Sequence, residues 1–365
     1  MFSSSLRQQA ARSFTTAKRT VYDNTIGTAC KRTSIAPRAH TTSVAPARRL
    51  TPYIAGGLLL TTAAAAGTFT NTPDIAHLTT TEKVTETAKA MSSKLVPPNP
   101  ADVMVIRDVT PNIVTLSVPF SRFGVLKVGG RGTVVKLTSG SLAVFSPVAL
   151  TPDVEARIKT LGTGKIAYII APDIEHHIFV SEWARAFPDA KLIGPEGLPE
   201  KRAKAKDEKI GNEPFFRVFS KATKLTTTIT DEFDADFEYE YVEAHPNKEI
   251  VFFYKPDRVL IQADLMFNLP PTEQYSRVTD PEQLKEGMLS RFFAGLQNPS
   301  GEAKGMKRAM WYLFSRADRT SFNESMRRID KWDFTTMIPC HGDTMVGNGK
   351  EVFEKVFEWH LQGKH

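Results

Sequence analysis

From about residue 101 to its end, the sequence predicts an α/β fold in which two β-sheets pack together and helices cover their outer faces. Two observations predict this class of fold. Apolar runs typical of strands alternate with patterns typical of amphipathic helices. The strands also fall into two sets, each followed by helices, and this order indicates stacked sheets with helices outside.

The first set of predicted strands contains three strands that open the fold and a later one that is fully buried. The runs are Asn112–Val118, Thr133–Leu137, Leu142–Val148 and Lys165–Ile170. The last of them, KIAYII, is continuously apolar and suits a strand covered on both faces. A short strand, KLIG, follows further along the chain.

The second set begins with the run FDADFEYEYV, Phe233–Val242, in which apolar residues alternate with acids. This period of two predicts a strand over the whole run. EIVFFY and VLIQAD flank KPDR and predict a β-hairpin with a proline turn. FTTMIP predicts the last strand.

Helical patterns follow both sets of strands. In the first set they lie at Pro152–Leu161 and around Phe179, Trp183 and Phe187, whose spacing of four residues marks one face of a helix. In the second set they lie at Met306–Ala317, at Ser321–Lys331 with a Ser321-x-x-Glu324 capping box, and around Phe353, Val356, Phe357 and Leu361. The polar stretches Pro195–Asp231 and Leu269–Gly305 are interpreted as insertions or lids.

Residues 1–50 have the composition of a mitochondrial targeting segment. They hold nine Lys and Arg against one acid, Asp23, which gives this segment a net charge of +8. The whole chain has a net charge of +7, so the remaining residues together carry −1. Transit peptides are likewise rich in Arg and Ser and poor in acids. An ordinary basic tail is the alternative. Because the remaining chain has no surplus of cations to replace phosphate counterions, nucleic-acid binding is not expected.

The stretch 51–70 contains a run of seventeen uncharged residues, Tyr53–Phe69, close to the lower limit for a membrane-spanning helix. It is interpreted as a transmembrane helix, with a removable or interfacial stretch as the alternative. Arg48 and Arg49 precede the run and would keep that side in the matrix. The folded domain, residues 101–365, would then face the intermembrane space from the inner membrane, joined to it by a polar linker over residues 71–100.

Residues able to bind a metal ion follow the ends of four predicted strands. They are Asp173, Glu175, His176 and His177 after the first set's buried strand, His245 after Val242, Asp264 at the end of VLIQAD, and His341 with Asp343 after FTTMIP. Folds built on sheets bring side chains from strand ends and their loops into one site. The sequence therefore predicts a shared metal site at the sheet edges.

With these residues the chain resembles the metallo-β-lactamase-fold superfamily, and most closely a branch filed as a domain of unknown function. The resemblance covers roughly residues 110–360 and implies an αββα sandwich with one or two zinc or iron ions at the sheet edges. The superfamily motif H-x-H-x-D-H, laid on APDIEH, places Ala171, Asp173, Glu175 and His176 at its ligand positions. The resemblance also assigns metal-ligand positions to His245, Asp264 and the histidine of PCHGD, His341.

The resemblance favours one metal ion over two. The first of the family's two sites would keep only Asp173, His245 and Asp264, because Ala171 has no ligand atom. The second would keep all of its ligands, which are Glu175, His176, Asp264 and His341. A catalytic zinc ion generally has three protein ligands and a water, so zinc is favoured. Iron and manganese are alternatives because the ligand set is rich in carboxylates.

Three further residues receive roles outside this metal site. His177 is interpreted as a residue at the start of a helix, with a substitute ligand or a hydrogen-bond partner of a ligand as alternatives. Cys340 is predicted to be a small buried thiol, since neighbouring residues of an extended segment point to opposite faces. His360 lies beside the apolar stripe of the closing helix and is assigned to packing.

The function predicted from these features is a metal-dependent hydrolase acting on a small molecule, an ester, thioester, amide or phosphoester. A bound metal ion activates water at neutral pH and polarises the bond that is attacked. Glu175 or Asp173, where it does not bind the metal, is the expected general base. Ala171 and Asp173 also fit an alternative, a membrane-tethered scaffold without catalysis, and a redox or oxygen-handling iron site is the third hypothesis.

Overall fold

A computed structural model describes residue 97 and residues 99–363 of the chain. The predicted targeting segment, the run Tyr53–Phe69 and nearly all of the linker lie outside the described residues. Among the residues that are described, no helix combines the length and apolar character needed to cross a membrane.

The larger sheet has seven strands from the first half of the domain. Their bounds are β1 Val105–Thr110, β2 Ile113–Val118, β5 Gly130–Lys136, β6 Leu142–Phe145, β7 Ile166–Ile170, β8 Lys191–Pro195 and β9 Arg217–Phe219. They pair in the order β1-β2-β5-β6-β7-β8-β9, antiparallel up to β6 and parallel from β6 onwards. A small hairpin of β3 Ser121–Arg122 and β4 Leu126–Lys127 comes between β2 and β5 along the chain.

The smaller sheet has four strands from the second half. Their bounds are β10 Phe237–Val242, β11 Glu249–Tyr254, β12 Val259–Ile261 and β13 Thr336–Ile338. The first three pair antiparallel in chain order, and β13 lies parallel to β12. The predicted hairpin around KPDR is therefore confirmed as β11 and β12.

Most helices follow the strands that they cover. Their bounds are α1 Pro100–Val103, α2 Pro152–Lys159, α3 Val180–Ala186, α4 Leu198–Ala203, α5 Asp231–Asp236, α6 Pro281–Leu284, α7 Met288–Leu296, α8 Lys304–Ala309, α9 Arg319–Ile329, α10 Gly349–Val356 and α11 Glu358–Gln362. A 3₁₀ turn spans Glu273–Tyr275, and α8 runs into a π-helical turn at Met310–Phe314.

Two sequence predictions about element ends were wrong. The alternating run Phe233–Val242 is a strand only from Phe237, because its first part belongs to α5. The side chain of Thr230 accepts a hydrogen bond from the Phe233 N–H and caps that helix, whose first turn is acidic. The helix predicted to start at Ser321 begins two residues earlier, since Asp318 caps it by accepting from the Ser321 N–H at 3.1 Å.

Aromatic side chains join the two sheets face to face. Phe145 of the larger sheet lies 5.4 Å from Phe237 and 5.0 Å from Phe252 of the smaller sheet, measured between ring centroids. On the outer face of the larger sheet, Trp183 of α3 is fully buried in a separate apolar cluster. Phe322 of α9 is likewise buried against the outer face of the smaller sheet. The four layers run helix, sheet, sheet, helix, and the predicted α/β fold with two packed sheets is confirmed.

His360 of α11 is buried among aromatic rings, as its assignment to packing predicts. Its ring centroid lies 5.0 Å from that of Trp311 and 4.9 Å from that of Phe322. Burial, and secondarily the charge of Arg319, lowers the pKa of His360 to about 4. The folded state thus holds this imidazole neutral at pH values where an unfolded chain would protonate it.

We expect His360→Phe to reduce the acid sensitivity of the fold. Between about pH 6.5 and 4 the unfolded state binds one more proton at His360 than the folded state does, so stability falls as the pH is lowered. Removing the group should reduce the slope of unfolding free energy against pH by about 1.4 kcal/mol per pH unit in that window. Urea titrations of both proteins from pH 4 to 8 measure this slope, and identical slopes would contradict the prediction.

Candidate metal centre

Three ligand-type side chains meet where strands of both sheets end. His176 follows β7 of the larger sheet, and Asp264 and His341 follow β12 and β13 of the smaller sheet. His176 Nε2 lies 3.2 Å from His341 Nε2, and Asp264 Oδ1 lies 3.1 Å from His341 Nε2 and 4.0 Å from His176 Nε2. The structure thus places these three of the predicted metal ligands together.

Hydrogen bonds fix both imidazoles so that their Nε2 atoms face each other. His176 Nδ1 lies 2.9 and 3.0 Å from the two carboxylate oxygens of Asp173, and His341 Nδ1 lies 2.6 Å from the carbonyl oxygen of Gly129. Carboxylate and carbonyl oxygens only accept, so Nδ1 carries the proton in each ring. The Nε2 lone pairs of the neutral rings then converge on one point, where they repel unless a proton or a cation lies between them.

The third member of the cluster points an unused oxygen at the same place. Asp264 Oδ2 accepts from the side-chain amide of Asn247 at 2.5 Å, whereas the buried Oδ1 has no hydrogen bond within the described residues. The 3.1 Å contact of Oδ1 with His341 therefore lacks hydrogen-bond geometry. A buried carboxylate oxygen in this condition is costly unless an ion occupies the space beside it.

The spacing of the three ligand atoms fits one tetrahedral ion. Ligand atoms about 2.0–2.1 Å from a zinc ion lie about 3.3 Å from one another. The two shorter separations, 3.2 and 3.1 Å, match that value, and the third, 4.0 Å, requires a small shift of one side chain. The residues present could thus hold a metal ion with one coordination position left for water or substrate.

A second buried acid, Glu249 at the start of β11, supports the loop that carries Asp264. Its two oxygens accept from the backbone N–H groups of Ala263 and Asp264 at 2.7 and 2.8 Å. Burial raises the pKa of Glu249 well above its usual range, and the charges of Asp173 and Asp264 raise it further. Sequence reasoning missed Glu249, because a glutamate that opens an apolar strand resembles an ordinary polar strand end.

The charges of the cluster act on each other strongly. Burial opposes the charged form of His176, but Asp173 and Asp264 outweigh it and raise the pKa of His176 to about 10. Burial alone would raise the pKa of Asp264, whereas His176 and His341 bring it far below its usual range. The carboxylates therefore favour a positive charge between the imidazoles, and a metal ion would have to displace the proton of His176.

The structure does not bring the other predicted ligands to the cluster. Asp173 is buried and holds the Nδ1 side of His176, so its carboxylate faces away from the point where the ligand atoms meet. Glu175 lies at the surface, where its oxygens are 2.8 Å from Lys201 Nζ and 3.6 Å from an Arg122 nitrogen. His245 stacks on Phe314 and accepts at Nδ1 from the backbone N–H of Asn247, outside the three-residue cluster.

The structure also places Ala171, His177 and Cys340 outside the three-residue cluster. Ala171 is buried in the apolar cluster under α3. His177 is buried with its ring 3.4 Å from Arg202, and burial lowers its pKa to about 4. Cys340 is a buried free thiol that contacts Ser146, as predicted.

The His341 loop is held by groups with no clear signal in the sequence. Arg131 is buried and donates to the carbonyl oxygens of Pro339 and Gly342 at 2.7 and 2.5 Å. Gln274 donates to the Cys340 carbonyl and accepts from the Gly342 N–H. Gly129 has a φ of +69°, and a Cβ there would lie 2.2 Å from Gln274 Oε1, so only glycine lets this carbonyl reach His341.

A cavity of about 290 Å³ opens onto the cluster from the side of the larger sheet. His176 and His341 both line it, and Glu175 and Arg122 line it near the surface. The remaining lining is mainly apolar. Small molecules therefore have a way to the two imidazoles through this cavity.

Several solved structures are similar to this chain at low sequence identity. DIM-1 metallo-β-lactamase exposed to ceftazidime is 12% identical, with 74% of this chain and 99% of that chain covered and a TM-score of 0.42. A metallo-β-lactamase from Pontibacter korlensis is 12% identical, with 70% and 98% covered and a TM-score of 0.44. The Flv1 flavodiiron core from Synechocystis is 12% identical, with 70% and 60% covered and a TM-score of 0.46. Identities this low say nothing about a shared activity.

Comparison by sequence gives a family. No curated protein matches the chain. One family model, described as a domain of unknown function, DUF4336, matches residues 122–311, which is more than half of the chain and includes β5 to β12 with His176 and Asp264. The chain therefore belongs to the DUF4336 family.

Proposed function

We propose that the domain is a metal-dependent hydrolase with one metal ion held by His176, Asp264 and His341. The observation that carries this proposal is the convergence of two Nε2 atoms and one unbonded carboxylate oxygen, with both histidines lining an open cavity. When bound, the ion would supply a Lewis acid and a water activated at neutral pH. Zinc is the favoured ion, because three protein ligands and an open position are typical of catalytic zinc.

In this proposal, other residues of the chain orient the metal ligands and accept a proton. Asp173 keeps Nδ1 of His176 protonated and the ring oriented, and such partners also make the ligand nitrogen more basic. Glu249 holds the backbone at Asp264, and the Gly129 carbonyl does for His341 what Asp173 does for His176. Glu175 is the proposed general base, since its carboxylate lines the cavity beside His176 and is not enclosed by the fold.

A specific observation also supports a second candidate function. Two histidines and one carboxylate with open positions form the ligand set of many iron(II) enzymes that use oxygen. A redox or oxygen-handling iron site on the same three residues is therefore the alternative among catalytic functions. A non-catalytic, membrane-tethered scaffold is the remaining alternative, and it predicts no turnover of any substrate.

Metal analysis of the purified full chain tests the proposal. We expect about one equivalent of metal per chain, the number that one set of three ligands can hold. His176→Ala and His341→Ala should each abolish it, whereas His360→Phe, a buried histidine remote from the cluster, should retain it. Plasma emission spectrometry after reconstitution with zinc, iron(II) or manganese measures the content. Absence of stoichiometric metal in the folded wild-type chain would refute both catalytic functions and favour the scaffold.

Two variants should separate the roles of the two acids. Asp173→Asn tests the orientation of His176, and Glu175→Gln tests proton transfer by the proposed general base. Asp173→Asn removes the charge that holds His176, and metal affinity should fall about 10- to 100-fold. Glu175→Gln should leave metal affinity unchanged and lower kcat by about 10²- to 10⁴-fold on a scissile ester. Competition with a chromogenic chelator gives the affinities. Loss of metal from Glu175→Gln would show that Glu175 is a ligand after all.

We further propose that residues 1–50 direct the chain to mitochondria and that the run Tyr53–Phe69 anchors it in the inner membrane. A fusion of residues 1–70 to a fluorescent protein should localise to mitochondria. The same fusion with Arg7, Arg12 and Lys18 changed to glutamine should remain cytosolic, because import depends on the cationic face. A cytosolic signal from the unchanged fusion would contradict the targeting proposal, and extraction of the mitochondrial fusion by alkaline carbonate would contradict the anchor.

A further inference from the structure

The cavity above the cluster is built to hold an apolar group next to the two imidazoles. Its walls come mainly from the end of β2 and from the loops after β2, β3, β6 and β7. They include Val118, Phe120, Phe123, Val148, Ile178 and Phe179. Phe120 stacks on His341 with ring centroids 6.0 Å apart. The apolar lining thus extends to the imidazole ring of His341, a proposed metal ligand. A molecule that fills the cavity would therefore lie beside the proposed metal position.

The polar groups of the cavity are few, and the fold already uses most of them. Of the residues that line it, only Arg122 and Arg131 carry a permanent positive charge. Arg131 is buried and fully engaged with Ser117, Glu273 and the two carbonyl oxygens of the His341 loop. Arg122 remains, at the surface beside Glu175.

This distribution argues against a phosphoester and for a carboxylic acyl compound. Recognition of a phosphoryl group uses several cationic or N–H donors aimed at its oxygens, and beyond the cluster itself the cavity offers only one surface arginine, next to a carboxylate. An acyl chain, in contrast, gains from every methylene that the apolar walls remove from water. Its carbonyl carbon would lie at the end of the cavity that His176 and His341 close.

We propose that the cavity binds the apolar acyl chain of a carboxylic ester, thioester or amide and presents its carbonyl group to the cluster. This inference rests on the proposed hydrolase function for the reaction, but the binding step stands on the cavity alone. The chain lies between Phe120, Val148 and Phe179, and the leaving group points to the surface at Arg122 and Glu175.

Binding of neutral acyl probes to the metal-free full chain tests the inference without catalysis. Linear primary amides from butanamide to octanamide carry the acyl chains and no charge. We expect affinity to rise by up to about fourfold per methylene until the cavity is filled, as burial of a methylene group predicts. Isothermal titration calorimetry measures the series.

A matched pair of variants locates the binding. Ala149→Phe places a ring in the cavity that Ala149 lines, so the rise in affinity should stop at a shorter chain. Leu225→Phe adds the same ring at a residue that is 73% exposed and lies outside the cavity, and its series should equal that of the wild type. A series that is flat in the wild type, or unchanged in Ala149→Phe, would overturn the acyl-chain inference.

The outcomes separate this inference from the proposed function. Hydrolysis of short esters by the metal-loaded chain, together with a flat amide series, would support the hydrolase and refute the acyl cavity. A rising series that Ala149→Phe shortens, without hydrolysis of any octanoyl ester under any tested metal, would refute the hydrolase and leave an acyl-binding protein.

Discussion

Three buried acidic side chains impose the constraint on which the site depends. Asp173, Glu249 and Asp264 are each at most 4% exposed, and buried polar groups need hydrogen-bond partners inside the fold. Asp173 receives the backbone N–H groups of Glu175 and His176, both at 2.8 Å, and Glu249 receives those of Ala263 and Asp264. Asp173 thus stabilises the loop that carries His176, and Glu249 stabilises the loop that carries Asp264.

The same hydrogen bonds explain why Asp173 is not part of the three-residue cluster. Ala171 packs into the core beneath α3, and Asp173 is turned towards the Nδ1 atom of His176. An aspartate is short enough to make that bond three residues before the histidine, so Asp173 orients His176.

Much of the fold could be predicted from the sequence because its strands and helices are strongly periodic. The prediction failed where two signals competed. Phe233 to Asp236 alternate like a strand, yet Thr230 and the acids of the first turn stabilise a helix there. Ser321 and Glu324 have the spacing of a capping box, in which the Glu324 side chain would bind the Ser321 N–H. Asp318, just before the helix, accepts from that N–H instead.

The site was predictable only as far as its ligands follow strand ends. His176, Asp264 and His341 share that position in the sequence, and the sheets bring them together. Asp173 and Glu175 share it as well, so their position gives no hint that one turns inwards and the other outwards. The Gly129 carbonyl is a backbone group that any residue possesses, and Arg131 is a charge within a strand, so neither could be identified before the folded loops were known.

The balance between hydrolysis and oxygen chemistry depends on what surrounds the three ligands. Two imidazoles and a carboxylate suit zinc and iron(II) alike, so the ligand set alone does not separate the two reactions. Hydrolysis also requires a proton acceptor for the reacting water, and Glu175, the proposed general base, lines the same cavity as His176. It lies between Lys201 and Arg122, two side chains that are over a third exposed. An oxygen-handling iron site has no need of that acceptor, and its presence favours the hydrolase.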